Sequence, residues 1–229
     1  MTILYVLGHH GTIVPSAINI VTEKDFTLST NDSDWLGNGA YFFENAPLRA
    51  WLWAKREAKK KESEPAVVEV EIYLGQCLDL LDVHWGHIVR AYHQEMARSY
   101  AARGKQLPPQ IPPSVQTEPR ETYLVEEMEP AHEEKRLGYN RLDRSVINFT
   151  VQRLFEGRPQ TIIDSTRAAF SEGHPLYEMS FLYDRSHVQI AVLDIEKCIV
   201  GVPRILDSNE LEERRSDINS DISRILAEP

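Results

Sequence analysis

Cysteine is almost absent. The 229 residues hold only Cys77 and Cys198, far apart and without neighbouring ligand pairs. That excludes a disulfide framework and a cysteine-based zinc site, so the chain reads as metal-free. Long apolar runs are also missing, and no stretch approaches the roughly 20 apolar residues that span a bilayer. Residues 1–7 lack the basic start and apolar run of a signal peptide and read instead as the beginning of a strand. A cytoplasmic protein without a membrane partner is the expectation. Positive charge is in deficit, with a formal net charge of −10. A generally acidic surface repels nucleic acid, because phosphate binding depends on Lys and Arg displacing counterions. Glycine-rich phosphate loops are missing as well: neither G-x-G-x-x-G nor G-x-x-x-x-G-K-[ST] occurs. A nucleotide bound here must be held another way.

What is present suits one large domain or two small ones, since 42% of the residues are hydrophobic and 26% charged. The charge is uneven. Lys55, Arg56, Lys59, Lys60 and Lys61 form a basic run, and Glu126, Glu127, Glu129, Glu133 and Glu134 an acidic one. Either serves as a solvated face, and the basic run also suits a phosphate-bearing ligand or RNA. Strands are expected at residues 2–7, 40–43, 67–74, 161–163 and 187–193. Helices are expected at 16–21, 46–61, 85–102, 144–155 and 208–226. In the 85–102 helix, Val89, Tyr92, Met96 and Tyr100 form one apolar stripe. Residues 105–119, with two Pro-Pro pairs, must be a loop, and 171–186 reads as one. Short strands without a regular βαβ rhythm favour an α+β fold.

Two segments carry the chemistry. His10-Gly11-Thr12 follows the first strand. A glycine lets a flat ligand approach the backbone, whose N–H and C=O pair with an amide. The His10 imidazole can bond a ribose hydroxyl, and Thr12 adds its own. The second segment runs from Trp35 to Phe43 through Gly37, Gly39 and Tyr41, and continues into a helix bearing Trp51 and Trp53. Aromatics from a strand and an adjacent helix can enclose a planar ring, at roughly 0.5–1.5 kcal/mol per stacking contact. Phe42 and Phe43 also read as ordinary core.

In that order and spacing, the two segments resemble the diphtheria-toxin-like, or PARP-like, ADP-ribosyltransferases over residues 5–54, and less closely over 180–194. The resemblance implies a split antiparallel sheet core with flanking helices. It implies one domain over 1–229, with a helical insertion at about 84–160. NAD⁺ would be the substrate. His10 would bind the ribose next to adenine, and Gly11 would pair with the nicotinamide carboxamide. Tyr41 would stack on the nicotinamide, with Trp51, Leu52 or Trp53 as its helical partner. Thr12, Ser29, Gly39 and Phe42 complete the NAD-binding set.

The last catalytic strand of the family resembles residues 186–194. Alternation puts Val188, Ile190 and Val192 in the core and His187, Gln189 and Ala191 on the other face. Gln189 then stands where the family has its catalytic Glu. Breaking the nicotinamide–ribose bond develops an oxocarbenium ion, which a carboxylate stabilises and an amide does not. At an effective dielectric of 20, a charge pair about 5 Å apart is worth roughly 3 kcal/mol, or around two orders of magnitude in rate. Single transfers are therefore expected rather than chain extension. Glu178 and Asp184 are candidates to supply a carboxylate. The resemblance implies a bacterial toxin or anti-phage effector that modifies RNA or protein, RNA being favoured by the resemblance alone, with an antitoxin as candidate partner. A noncatalytic module for NAD or ADP-ribose is the alternative, ahead of an RNA 2′-phosphotransferase.

Overall fold

The computed structural model describes residues 5–31, 34–110 and 141–227. The acidic run at 126–134 and the second Pro-Pro pair lie outside them. The order of elements is β1 (Tyr5–Ile13), α1 (Val14–Glu23), β2 (Ala40–Glu44), α2 (Pro47–Lys61), β3 (Pro65–Tyr73) and β4 (Cys77–Asp79), then α3 (Val83–Ala102), α4 (Arg141–Gly157), β5 (Ser165–Phe170), β6 (His187–Val192), α5 (Ile195–Cys198), β7 (Arg204–Ile205) and α6 (Ser208–Ala227). The fold is α+β. Seven strands form a single sheet in the order β4-β5-β6-β2-β1-β3-β7, antiparallel except where β4 runs parallel to β5. Among the described residues no helix is long and apolar enough to cross a membrane.

Both faces of the sheet are covered, and each cover follows from the sequence pattern. On one face, Val68, Val70 and Ile72 of β3, Phe42 of β2 and Ile190 and Val192 of β6 meet Ala17 and Ile20 of α1 and Phe26. On the other face, α2 lays Ala50, Ala54 and Ala58, spaced four apart, over β1 and β3. Small side chains let the helix come close. Gly11 completes this contact: a Cβ built there would lie 2.2 Å from the Ala50 carbonyl oxygen. The insertion is a helical pair, α3 against α4, joined by Tyr92 on Phe149 and by an Arg153–Glu95 ion pair of 2.9 Å. Of the α3 stripe, Met96 is buried while Val89, Tyr92 and Tyr100 are half-buried.

Two expected strands moved. β1 does not end before His10-Gly11-Thr12 but runs through it, because the nine-residue ladder with β3 continues to Ile13↔Pro65. Pro15 then fixes the start of α1. Residues 161–163 are not a strand. β5 begins at Ser165, opposite Cys77. The preceding Asp164 accepts from the Gln76 N–H and the Lys197 ammonium, both at 2.6 Å, and anchors the turn.

Candidate functional site: a fork in the sheet

β1 and β2 are joined at Gly8↔Glu44 and His9↔Phe43. Beyond that point β1 stays with β3, while β2 stays with β6 through Tyr41↔Ala191 and Ala40↔Val192. The sheet therefore forks at His10. The carbonyl of Leu7 accepts from Asn45 N–H at 2.9 Å, so odd positions of β1 turn their backbone groups toward β2. Gly11 is odd. Its N–H and C=O face the opening of the fork, past the last β1–β2 pair.

His10 sits in the crotch of the fork. Its Nδ1 lies 2.8 Å from the Tyr41 carbonyl, and its ring packs on Phe26 and Phe42 at 5.8 and 5.6 Å. A carbonyl only accepts, so Nδ1 carries the hydrogen. Burial holds the imidazole below its usual pKa. Neutral His10 then offers Nε2 as a lone-pair acceptor. Thr12 is half-buried beside it. Ser29 and Gly39 bridge by their backbones, and the Ser29 hydroxyl accepts from the Asn31 amide at 2.8 Å. Gly39 is pressed against Ala191, where a Cβ would meet the methyl at 3.0 Å.

Tyr41 and Gln189 lie on the opposite face from His10 and Phe42, by strand alternation and the register Phe43↔Gln189. The pocket expected to gather the side chains of His10 and Tyr41 is thus split across the sheet, and what links them is the Tyr41 carbonyl. The Tyr41 hydroxyl donates to Gly37 O at 2.8 Å and accepts from Leu36 N–H at 3.0 Å, tying down the glycine turn. Burial pushes its pKa upward, so it stays a phenol. Tyr41→Phe leaves the Leu36 N–H without its acceptor and should cost about 1–3 kcal/mol. Urea denaturation of the two proteins measures it.

Gln189 is half-buried, and its Oε1 accepts from Trp35 Nε1–H at 2.6 Å. An indole can only donate, so the amide orientation is forced and the Gln189 NH₂ faces away from Trp35. A glutamate here would present an acceptor where the glutamine presents donors. Aromatic rings surround this position. Trp35 packs on Phe170 at 4.7 Å, and His187 packs on Phe43 and Phe170 at 5.0 and 5.6 Å. Of the helical partners, Trp51 is buried in one cluster with Phe43 and donates to Glu212 on α6 at 2.9 Å. Trp53 faces β2 through Phe43, its ring 6.5 Å off and covered by Arg56.

Glu178 is exposed. Asp184 accepts from His174 N–H at 2.9 Å and shapes the loop after β5. Asp34 adds its charge near Tyr41, and a second carboxylate on this face is Glu172, paired with Arg49 of α2. Sequence reasoning missed it because it sits in a stretch without periodicity. It also missed Asn38, whose side-chain oxygen accepts from Arg144 and Asn148 and whose N–H donates to Asn148 at 2.9 Å. These bonds fasten α4 of the insertion onto the glycine turn. A shallow groove lined by Ala46, Pro47, Leu48, Arg49, Arg214 and Ile218 lies between α2 and α6, so that Arg49 borders both it and the face of Gln189.

The histidines give the protein an acid-sensitive character. Burial lowers the pKa of His9, His10 and His187, the last to about 4, with Arg49 adding to the shift. Below pH 6.5 the unfolded chain binds more protons at these sites than the folded one. Stability is then full above about pH 6.5 and falls toward pH 4, by roughly 1.4 kcal/mol per pH unit for each fully shifted group. Denaturant midpoints measured from pH 7 to pH 4.5 should show this decline.

No protein-family model matches the chain, and no solved structure matches it. An uncharacterized protein of Methanocaldococcus jannaschii is 32% identical over 66 residues, which is 28% of this chain. The chain spans about 31% of the length of that relative.

Proposed function

We propose that the protein is an NAD⁺-dependent mono-ADP-ribosyltransferase, with the fork as the seat of the dinucleotide. The observation that carries this reading is the geometry at His10 and Gly11. Neutral His10 offers an acceptor nitrogen for a ribose hydroxyl. The next residue turns an N–H and a C=O, the pair a carboxamide needs, toward the opening between strands. Across the sheet, the Gln189 amide orients ribose hydroxyls without supplying a negative charge. Hydrogen bonds still position the sugar, and the rate is limited by the missing carboxylate. The split antiparallel core, the single-transfer limit and an intracellular toxin or defence role belong to this reading. So does a macromolecular acceptor, RNA before protein. Lys59, Lys60 and Lys61 at the exposed end of α2 suit an RNA backbone.

A second reading has a specific observation behind it. The amide at 189, locked by Trp35, also suits a module that holds NAD⁺ or ADP-ribose without cleaving it. Radiolabelled NAD⁺ incubated with the protein and cell extract separates the two. Label that enters an RNase- or protease-sensitive fraction supports transfer. Bound but intact NAD⁺ supports the module, and no binding sinks both. Under the toxin reading, expression should arrest growth, and His10→Ala should relieve the arrest.

A further inference from the structure

His187 is buried at 8% exposure, and among the described residues no hydrogen-bond donor reaches its Nε2. An orphaned buried ring nitrogen is costly, at roughly 1–3 kcal/mol, and points to a role in the molecule's working state. The tautomer is fixed. Nδ1 lies 2.7 Å from the Arg185 carbonyl, which only accepts, so Nδ1 holds the hydrogen and Nε2 a lone pair. The same alternation that places Gln189 on its face places His187 there too, about 7 Å further along β6. Phe43 and Phe170 flank the ring. Beyond them, Arg49 of α2 lies over Phe43 and pairs with Glu172 after β5.

We infer that His187 Nε2 is the base that takes the proton from the acceptor nucleophile, and that the acceptor is therefore a hydroxyl or neutral N–H group rather than a carboxylate. This rests on the transferase reading. In the step, the acceptor oxygen or nitrogen forms a bond to the ribose C1 of NAD⁺. The C1–nitrogen bond to nicotinamide breaks, and its electron pair neutralises the pyridinium. The acceptor's proton moves to Nε2 and later to water. Gln189 holds the ribose, and His187 stands two residues further along the strand on the side away from the fork, opposite the face by which nicotinamide leaves. The Arg49–Glu172 pair joins the two elements that border the approach from this side. The acceptor displaces it to reach the ring, which removes the Arg49 charge that helps hold the imidazole's proton affinity down. A carboxylate acceptor arrives already deprotonated and has no use for a base.

His187→Asn keeps an N–H near Nδ1 for the Arg185 carbonyl and removes Nε2. His187→Gln keeps a polar atom near Nε2 that cannot accept a proton. Both variants should bind NAD⁺ with unchanged affinity, while label transfer from radiolabelled NAD⁺ to extract falls at least 100-fold, the usual scale for a lost general base. The transferred label should survive neutral hydroxylamine, which cleaves carboxylate esters. Full transfer by either folded variant, or hydroxylamine-labile product, overturns the assignment. Melting curves identify a misfolded variant, and the other one then decides. If the wild-type protein neither binds nor cleaves NAD⁺, the transferase reading itself fails and takes this one with it. That result differs from a variant that binds NAD⁺ and still transfers.

Discussion

Gln189→Glu is expected to raise NAD⁺ cleavage by about two orders of magnitude. Trp35 Nε1–H would bind one carboxylate oxygen as it now binds Oε1, so the side chain keeps its orientation. The second oxygen would replace the amide NH₂. It would accept from the ribose 2′-hydroxyl and place a negative charge beside the developing oxocarbenium ion. At an effective dielectric of 20 and about 5 Å, that charge is worth roughly 3 kcal/mol, or about 100-fold in rate. The Trp35 bond should itself strengthen, since a hydrogen bond to a charged acceptor contributes about 1.5–3 kcal/mol. Nicotinamide release at saturating NAD⁺ measures the effect. An unchanged rate would mean that position 189 does not face the breaking bond.

Gly11→Ala is expected to lower stability and NAD⁺ affinity together. The added Cβ would lie 2.2 Å from the Ala50 carbonyl oxygen and 3.2 Å from the Ala54 nitrogen. Both atoms are helix backbone and cannot swing aside as a side chain tip would, so α2 must back away from β1. Overpacking of this kind costs about 1–3 kcal/mol, more where the backbone resists. For a chain of this size each kcal/mol shifts Tm by about 2–4 °C. The displaced helix carries Trp53 and Arg49, and β1 carries the backbone groups that open into the fork. Thermal melting and quenching of tryptophan fluorescence by NAD⁺ check the two effects. A variant with native Tm would show that α2 is not seated on Gly11.

Much of this architecture was legible in the residues, for a physical reason. α2 announces itself by residues that favour a helix, α6 by its charged stretch, and β3 and β6 by alternation. The alternation on β6 put Gln189 and Ile190 on opposite faces but also expected Val188 in the core and Ala191 outside it, whereas Ala191 is buried and Val188 half-buried because both faces are covered. β5 hid because Ser-Thr-Arg-Ala-Ala-Phe carries little periodic apolar character. Its strand is made by pairing with β4 and β6, not by propensity. β1 ran past its expected end because nine pairs with β3 override the turn tendency of His-Gly-Thr. The division of His10 and Tyr41 between two faces was hidden for another reason. It depends on the register between strands 31 residues apart, and sequence alone does not fix register. His187 matters through Phe43 on β2 and Phe170 on β5, and Glu172 through Arg49 on α2, contacts that no local pattern encodes.

The bonds between Asn38 and α4 have a consequence for descent. Asn38 receives Arg144 and Asn148 on one oxygen and returns an N–H to Asn148. Gly37, with φ of 85°, leaves no room for a Cβ beside Ile147 and Asn148. The helical pair is therefore stitched into the loop that Tyr41 steadies, and a change on one side is expected to require a change on the other. Relatives that shed α3 and α4 should have rewritten the Gly-Asn-Gly turn in the same step. Those that keep the turn should keep an amide at the position of Asn148, so that the two asparagines vanish from the lineage as a couple.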